Sequence, residues 1–281
     1  MAQVSAVPDD VVDLGGGVIE RPVFLIGCAR SGTSILGEAI AAHPRIVYLF
    51  EASAIWNELV PRRPDHRLLR ADTSAETAKA VREALERAAR VPQGNLLVEK
   101  NPKHVLRIPF LDAVYPDARF LHIIRDGRDT VASLMFRNRG DRWGHLEIPG
   151  WQDLLARYPH ANHIRCAHQW RDSVSIARAD ARDLAPGRYQ EIRYEALVRE
   201  PARVMTEVLQ FLELLTHESV DAFLPRIQDA TAGSYHAKKQ VRHYVENHAR
   251  RVGRHAENLS AEQLRDVESV CGKLLRKLGY E

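Results

Sequence analysis

Apolar residues in this chain come in short unbroken runs, each closed by a glycine or a charged residue. VFLIG at 23–27 is apolar throughout, as a strand covered on both faces of a parallel sheet must be. IVYLF at 46–50 repeats the pattern and ends at Glu51. NLLVEK (95–100) and RFLHIIR (119–125) each stop at a basic residue, and RYQEIRYE (188–195) is a further candidate strand. Between the runs the pattern turns helical. Ser34 to Ala42 reads as a helix stopped by His43-Pro44, because the residue before a proline is pushed out of helical geometry. Residues 72–90 predict an exposed amphipathic helix in which Ala80, Ala84 and Ala88 are spaced four apart. PARVMTEVLQFLEL (201–214) and LSAEQLRDVESVCGKLLRKLGY (259–280) also read as helices, the second with Ser260 as N-cap and Glu262 close behind.

Strands alternating with helices predict an α/β fold, a mainly parallel sheet flanked by helices. In such sheets ligands sit beyond the carboxyl ends of the strands. Arg30, Glu51, Lys100 and Arg125 each stand just past a strand and are therefore candidates to meet in one cleft. The expected organisation is a flexible lead over 1–19, with Gly15, Gly16 and Gly17 as a joint, followed by one domain over 20–281.

Composition changes this picture little. A chain of 281 residues suffices for one large core. Forty Lys+Arg against 37 Asp+Glu give a net charge of +3 with the signs interspersed, which is no footprint for nucleic acid. There is no run of 18 apolar residues and no basic-then-apolar leader, so a cytoplasmic protein without a membrane span is expected. Cys28, Cys166 and Cys271 are odd in number and lack metal-type spacing, so neither a disulfide nor zinc is expected.

The chemistry begins at Gly27-Cys28-Ala29-Arg30-Ser31-Gly32-Thr33-Ser34. Its place between strand and helix is that of a phosphate loop, yet Thr33 stands where the phosphate-gripping lysine of G-x-x-x-x-G-K-[ST] belongs. Backbone N–H groups entering the helix make an anion site, Gly27 and Gly32 allow close approach, and the Thr33 and Ser34 hydroxyls add donors. Arg30 supplies the missing cation. No apolar strand ending in Asp offers a second metal ligand. The plainer reading is a well-capped helix start. In RFLHIIRDGRDTVASLM (119–135), Arg125 closes a strand and Ser133 falls about two turns into the next helix, a pairing that suits a terminal phosphate. Asp126 or Asp129 is expected to cap that helix. The plainer reading of Arg125 is a surface ion pair with one of them.

Together these clusters resemble the sulfotransferases that use 3′-phosphoadenosine-5′-phosphosulfate (PAPS). RSGTS at 30–34 resembles that family's 5′-phosphosulfate loop, particularly in its carbohydrate and tyrosylprotein branches, so Arg30, Ser31, Gly32, Thr33 and Ser34 would bind there. Arg125 and Ser133 match its 3′-phosphate motif in type and separation, and Tyr194 in RYEALVREP resembles an adenosine-side contact. The ending over 270–280 is similar to that of bacterial members. The resemblance implies sulfuryl transfer from PAPS to an acceptor hydroxyl, on a small molecule or glycan, releasing adenosine 3′,5′-bisphosphate (PAP) without a metal.

It further implies Glu51 as the base, placed like the catalytic glutamate of tyrosylprotein sulfotransferases, and Lys100 as the cation at the leaving oxygen, with Arg30 beside them. The cytosolic branch carries a histidine two residues after that lysine; here the place is Pro102, which leaves His104 as a reserve base. His122 reads as a hydrogen-bonded core residue. HARRVGRH (248–255) is similar to the basic loop that covers the 3′-phosphate, with Arg250, Arg251 and Gly253 as contacts. Ser234, Lys238 and Lys239 form a second cationic segment, better read as solvated charge. Trp56, Trp143, Trp151 and Trp170 are candidates for an acceptor pocket, each more ordinarily core. The competing readings are an ATP-dependent kinase of the same architecture and a nucleotide-binding regulatory module without transfer. Acceptor identity and oligomeric state leave no mark in the sequence.

Overall fold

The computed structural model describes residues 18–137, 146–228 and 248–280, so Gly15, Gly16, Gly17, Trp143, Ser234, Lys238 and Lys239 lie outside the described residues. Its centre is a parallel sheet of β1 (Val23–Ile26), β2 (Ile46–Phe50), β3 (Leu96–Lys100), β4 (Arg119–Ile124) and β5 (Tyr189–Arg193), in the order β2-β3-β1-β4-β5. β1 occupies the middle, all four of its residues fully buried. That is why its sequence carries no polar position. The edge strand β2 is only half-buried beyond Ile46.

Alternation along the strands sends successive side chains to two cores. Phe24 and Ile26 of β1, Leu97 and Phe120 pack with Trp56, Val81, Leu85, Phe110 and Leu111. Val23, Leu25, Val98 and Leu121 pack with Leu36, Ala39, Ile40, Val208 and Leu209. In chain order the helices are α1 (Thr33–Ala41), α2 (Ser53–Glu58), α3 (Ala75–Ala89), α4 (Ile108–Val114), α5 (Gly127–Arg137), α6 (Trp151–Arg157), α7 (Asn162–Asp180), α8 (Tyr194–Arg199), α9 (Pro201–Phe211), α10 (Glu218–Phe223), α11 (Pro225–Gln228), α12 (His255–Asn258) and α13 (Ala261–Lys277). A third core, with Cys28, Ile124, Val131, Trp170, Val174 and Cys271, joins α5, α7 and α13 beyond the strand ends. Its three cysteines are buried free thiols.

Two helices are as expected and gain detail. α3 buries Ala78, Val81 and Leu85 rather than the Ala80, Ala84, Ala88 row, because Val81 and Leu85 offer far more apolar area to the core than alanines do. At α13, Ser260 is indeed the N-cap, but its reciprocal partner is Gln263: Ser260 Oγ accepts the Gln263 N–H (3.1 Å) and Gln263 Oε1 accepts the Ser260 N–H (3.0 Å).

Candidate active site

The loop after β1 is shaped by what crowds it. A Cβ on Gly27 would lie 2.7 Å from the Ile123 carbonyl of β4. A Cβ on Gly32, whose φ is +100°, would lie 2.4 Å from the Tyr194 ring. The Ser31 N–H closes the turn on the Cys28 carbonyl at 3.0 Å, and Arg30 is held at φ 75°, a left-handed conformation that costs a residue with a side chain energy. α1 then starts at Thr33 with no side-chain cap and no acidic residue in its first turn. Its leading N–H groups and positive dipole end therefore face the loop. The buried Ser31 Oγ has no hydrogen-bond partner among the described residues.

Arg30 and Arg125 meet here. Arg30 Nε donates to Ser133 Oγ at 3.1 Å, and Arg125 Nη1 donates to the Arg30 carbonyl at 3.3 Å. Arg125 is 5% exposed, its guanidinium 4.7 Å from the centre of the Tyr194 ring, and its Nη2 donates to the Arg251 carbonyl. Its Nε has no hydrogen-bond partner among the described residues. Tyr194 wedges between Gly32 and Arg125 while its hydroxyl reaches His248 Nδ1 at 2.9 Å; burial pushes that hydroxyl up to about 12.

Arg125 also pairs with Asp129 at 3.5 Å, so the anticipated ion pair exists but is buried, not superficial. Asp126 is the residue that holds the start of α5, its Oδ1 accepting the Arg128 N–H at 2.8 Å. Asp129 instead accepts the N–H groups of Gly253 (2.8 Å) and His255 (2.9 Å) and lies 2.9 Å from His255 Nδ1. Burial works to raise its pKa, but the His255 hydrogen bonds and the Arg125 charge outweigh it and hold the carboxyl below its usual range. The 248–255 turn is thereby fastened over Arg125 through the Arg251 carbonyl, whereas Arg250 stands exposed and Gly253 spends its N–H on Asp129.

Across β1, Lys100 ends β3 with its ammonium almost buried, 4.2 Å from the centre of the Phe50 ring and paired with the Glu51 carboxylate. Desolvation lowers the Lys100 pKa; Glu51 and Glu99 pull it back up, and the charge of Arg30 lowers it further. Glu51 sits at φ 43° with its N–H on the Lys100 carbonyl (2.8 Å), and its side chain is 37% exposed. One more carboxyl belongs here that the sequence reading missed. Glu38 of α1 is buried, and burial pushes its pKa up to about 7 against the pull of Lys100. Its position one turn beyond Ser34 in the helix that opens with the loop was the available signal.

His104 requires a correction. It is fully buried in the core beneath the sheet, edge-on to Trp56 with ring centres 4.4 Å apart and 2.7 Å from Glu99, so no acceptor hydroxyl can reach it as a reserve base. Trp56, Trp151 and Trp170 are core residues rather than pocket walls; Trp170 Nε1 donates to the Arg125 carbonyl at 3.0 Å. His122 is a core residue as expected, 2.7 Å from the Tyr189 hydroxyl. Among the described residues no group of His, Cys, Asp and Glu could hold a metal ion, and no helix is long and apolar enough to cross a membrane.

A parallel sheet with a lysine-less phosphate loop after its central strand and an arginine with a serine after the next defines a class. The chain belongs to the sulfotransferase family: the family model described as "Sulfotransferase family" matches residues 22–218. The protein-tyrosine sulfotransferase of Drosophila melanogaster is 25% identical over 208 residues, covering 70% of this chain and 39% of that protein. The chain spans about half the length of the protein-tyrosine sulfotransferases of chicken and zebrafish that it also matches. Among solved structures, the sulfotransferase domain of the curacin biosynthetic pathway superposes with a TM-score of 0.57 at 18% identity, covering 94% of this chain and 99% of that one. A mouse sulfotransferase solved with PAP gives 0.53 at 15% identity, covering 92% and 84%. Both likenesses show the fold.

Proposed function

We propose that this chain transfers a sulfuryl group from PAPS to an acceptor hydroxyl and releases PAP. The observation that carries the reading is the meeting of Arg30, Ser133 and Arg125 beside an uncapped helix start. The residues present suit such a nucleotide. Ser31 Oγ and Arg125 Nε are buried polar atoms without partners among the described residues, and the start of α1 has no side-chain cap. Ser31, Gly32, Thr33, Ser34 and Arg30 would hold the 5′-phosphosulfate; Arg125, Ser133, Tyr194 and the 248–255 turn would hold the 3′-phosphate and nucleoside, with Arg251 nearer than Arg250 or Gly253.

When bound, the nucleotide supplies the sulfuryl group and a phosphate leaving group. Glu51, exposed enough to meet an acceptor, takes the hydroxyl proton. Lys100, paired with Glu51 and within the field of Arg30, neutralises charge at the leaving oxygen. Buried free thiols suit a reducing compartment, and we place the activity in the cytoplasm. The protein-tyrosine sulfotransferases among its relatives are named for a phenolic hydroxyl acceptor, which fits a hydroxyl here.

Calorimetry tests the nucleotide. PAP should bind tightly, unaffected by a chelator, and ADP far more weakly; tighter binding of ADP with Mg²⁺ would instead favour a kinase. Turnover from radiolabelled PAPS onto a panel of a phenol, a primary alcohol, a sugar and a tyrosine peptide tests transfer. In Glu51→Gln turnover should fall at least a hundredfold while PAP affinity stays within twofold.

A further inference from the structure

Glu99 lies next to Lys100 in β3 but points to the opposite face of the sheet, where it is fully buried. A carboxyl group in an apolar core is retained only if it is well partnered. Its Oε1 accepts the indole N–H of Trp56 at 3.0 Å, and its Oε2 lies 2.7 Å from His104 Nε2. Trp56 belongs to α2, the helix that starts just after Glu51, and is 1% exposed. His104 belongs to the turn Pro102–Leu106, which starts just after Lys100 and is opened by Asn101 Oδ1 accepting the Lys103 N–H at 3.0 Å. One carboxyl group thus bonds the segment that leaves Glu51 and touches the segment that leaves Lys100. In the next residue of β3, the Lys100 carbonyl accepts the Glu51 N–H at 2.8 Å.

We infer that Glu99, clamped between Trp56 and His104, is a positioning residue that sets the Glu51–Lys100 pair from the far side of the sheet. The inference rests on the proposed roles of Glu51 and Lys100. Glu51 needs such a device, because its left-handed backbone conformation is one that a side-chain-bearing residue leaves readily unless neighbours hold it.

The test uses Trp56→Phe, which removes one donor and keeps the ring, with Glu99→Leu and Glu99→Gln beside it, all in the full chain. In Trp56→Phe and Glu99→Leu, kcat per PAP-binding site should fall at least tenfold, with PAP affinity and the KM for PAPS within twofold. Amide exchange at Glu51 should quicken by a similar factor, while amides of the central strand β1 exchange as before. Glu99→Gln retains an oxygen for Trp56 and an amide for His104, and should recover to within threefold of the parent. The double variant Trp56→Phe/Glu99→Leu should be no worse than Glu99→Leu, since both remove the same tie. Unchanged Glu51 exchange and unchanged kcat per site in Trp56→Phe would overturn the inference even if Glu99→Leu does not fold. Should Glu51→Gln turn over at the parent rate, the base assignment falls, and the exchange measurement still decides whether Glu99 positions that residue.

Discussion

Side chains that a sequence scan would file as ordinary surface charge, Arg125 and Glu38 among them, are buried. Arg125 is nearly buried against Tyr194 with one nitrogen unpartnered, so replacing it should cost a phosphate ligand a charged hydrogen bond. Arg125→Ala is expected to weaken PAP binding by ~1.5–3 kcal/mol, read by calorimetry; unchanged affinity would remove Arg125 from the nucleotide site. Glu38 gives a sharper signature. Its carboxyl is held near 7 in the folded protein, above the ordinary value of 4.5, so the folded state prefers the proton. The stability this contributes is fully present below about 4.5 and lost as pH rises through 7. Glu38→Gln should therefore be nearly neutral at pH 4 and raise the melting temperature at pH 8, by a free energy of up to about 3 kcal/mol. Equal melting shifts at both pH values would contradict the burial.

At the scale of elements, β1 to β4 were readable because each is a largely apolar run punctuated by glycine or charge, and the candidate site residues stand at that punctuation. Arg30, Glu51, Lys100 and Arg125 needed only strand ends and the rule that parallel sheets work at their carboxyl edge. Asp129 and Glu99 were not readable in their actual roles. The partners of Asp129 come from positions 124 and 126 residues later, and the hydrogen-bond donor to Glu99, Trp56, from 43 residues earlier, and nothing local announces such contacts. The tryptophans and His104 were ambiguous for a related reason: side-chain type does not say which face of a layer a residue occupies. The fastening of the 248–255 turn by Asp129 can be probed directly. In Asp129→Ala the amides of Gly253 and His255 should lose exchange protection and PAP affinity should drop, with about 1–3 kcal/mol lost from stability. Retained protection at both amides would show the turn to be held by something else.

For the whole molecule, buried histidines work against stability in acid. Burial lowers His122 and His248 each to about 3, and His66 moves the same way, to about 4. Their folded pKa values lie below the ordinary 6.5, so the stability they contribute is present above 6.5 and lost as pH falls toward 3. Between pH 4 and 6 the unfolded chain takes up nearly two more protons through His122 and His248 alone, a slope of roughly 3 kcal/mol per pH unit. Urea midpoints should fall steeply on acidification below pH 6; a flat profile there would mean these rings are not shielded.

The half-buried edge position of β2 carries a further consequence. Arg30 and Arg125 hang from β1 and β4, interior strands whose spacing is locked by ladders on either side, whereas Glu51, the proposed proton acceptor, hangs from the half-exposed rim. Changes in what is modified can thus accumulate around β2 and α2 without disturbing how the donor is held. Divergence of such proteins toward new hydroxyls should run along that margin, leaving the middle of the sheet as it is.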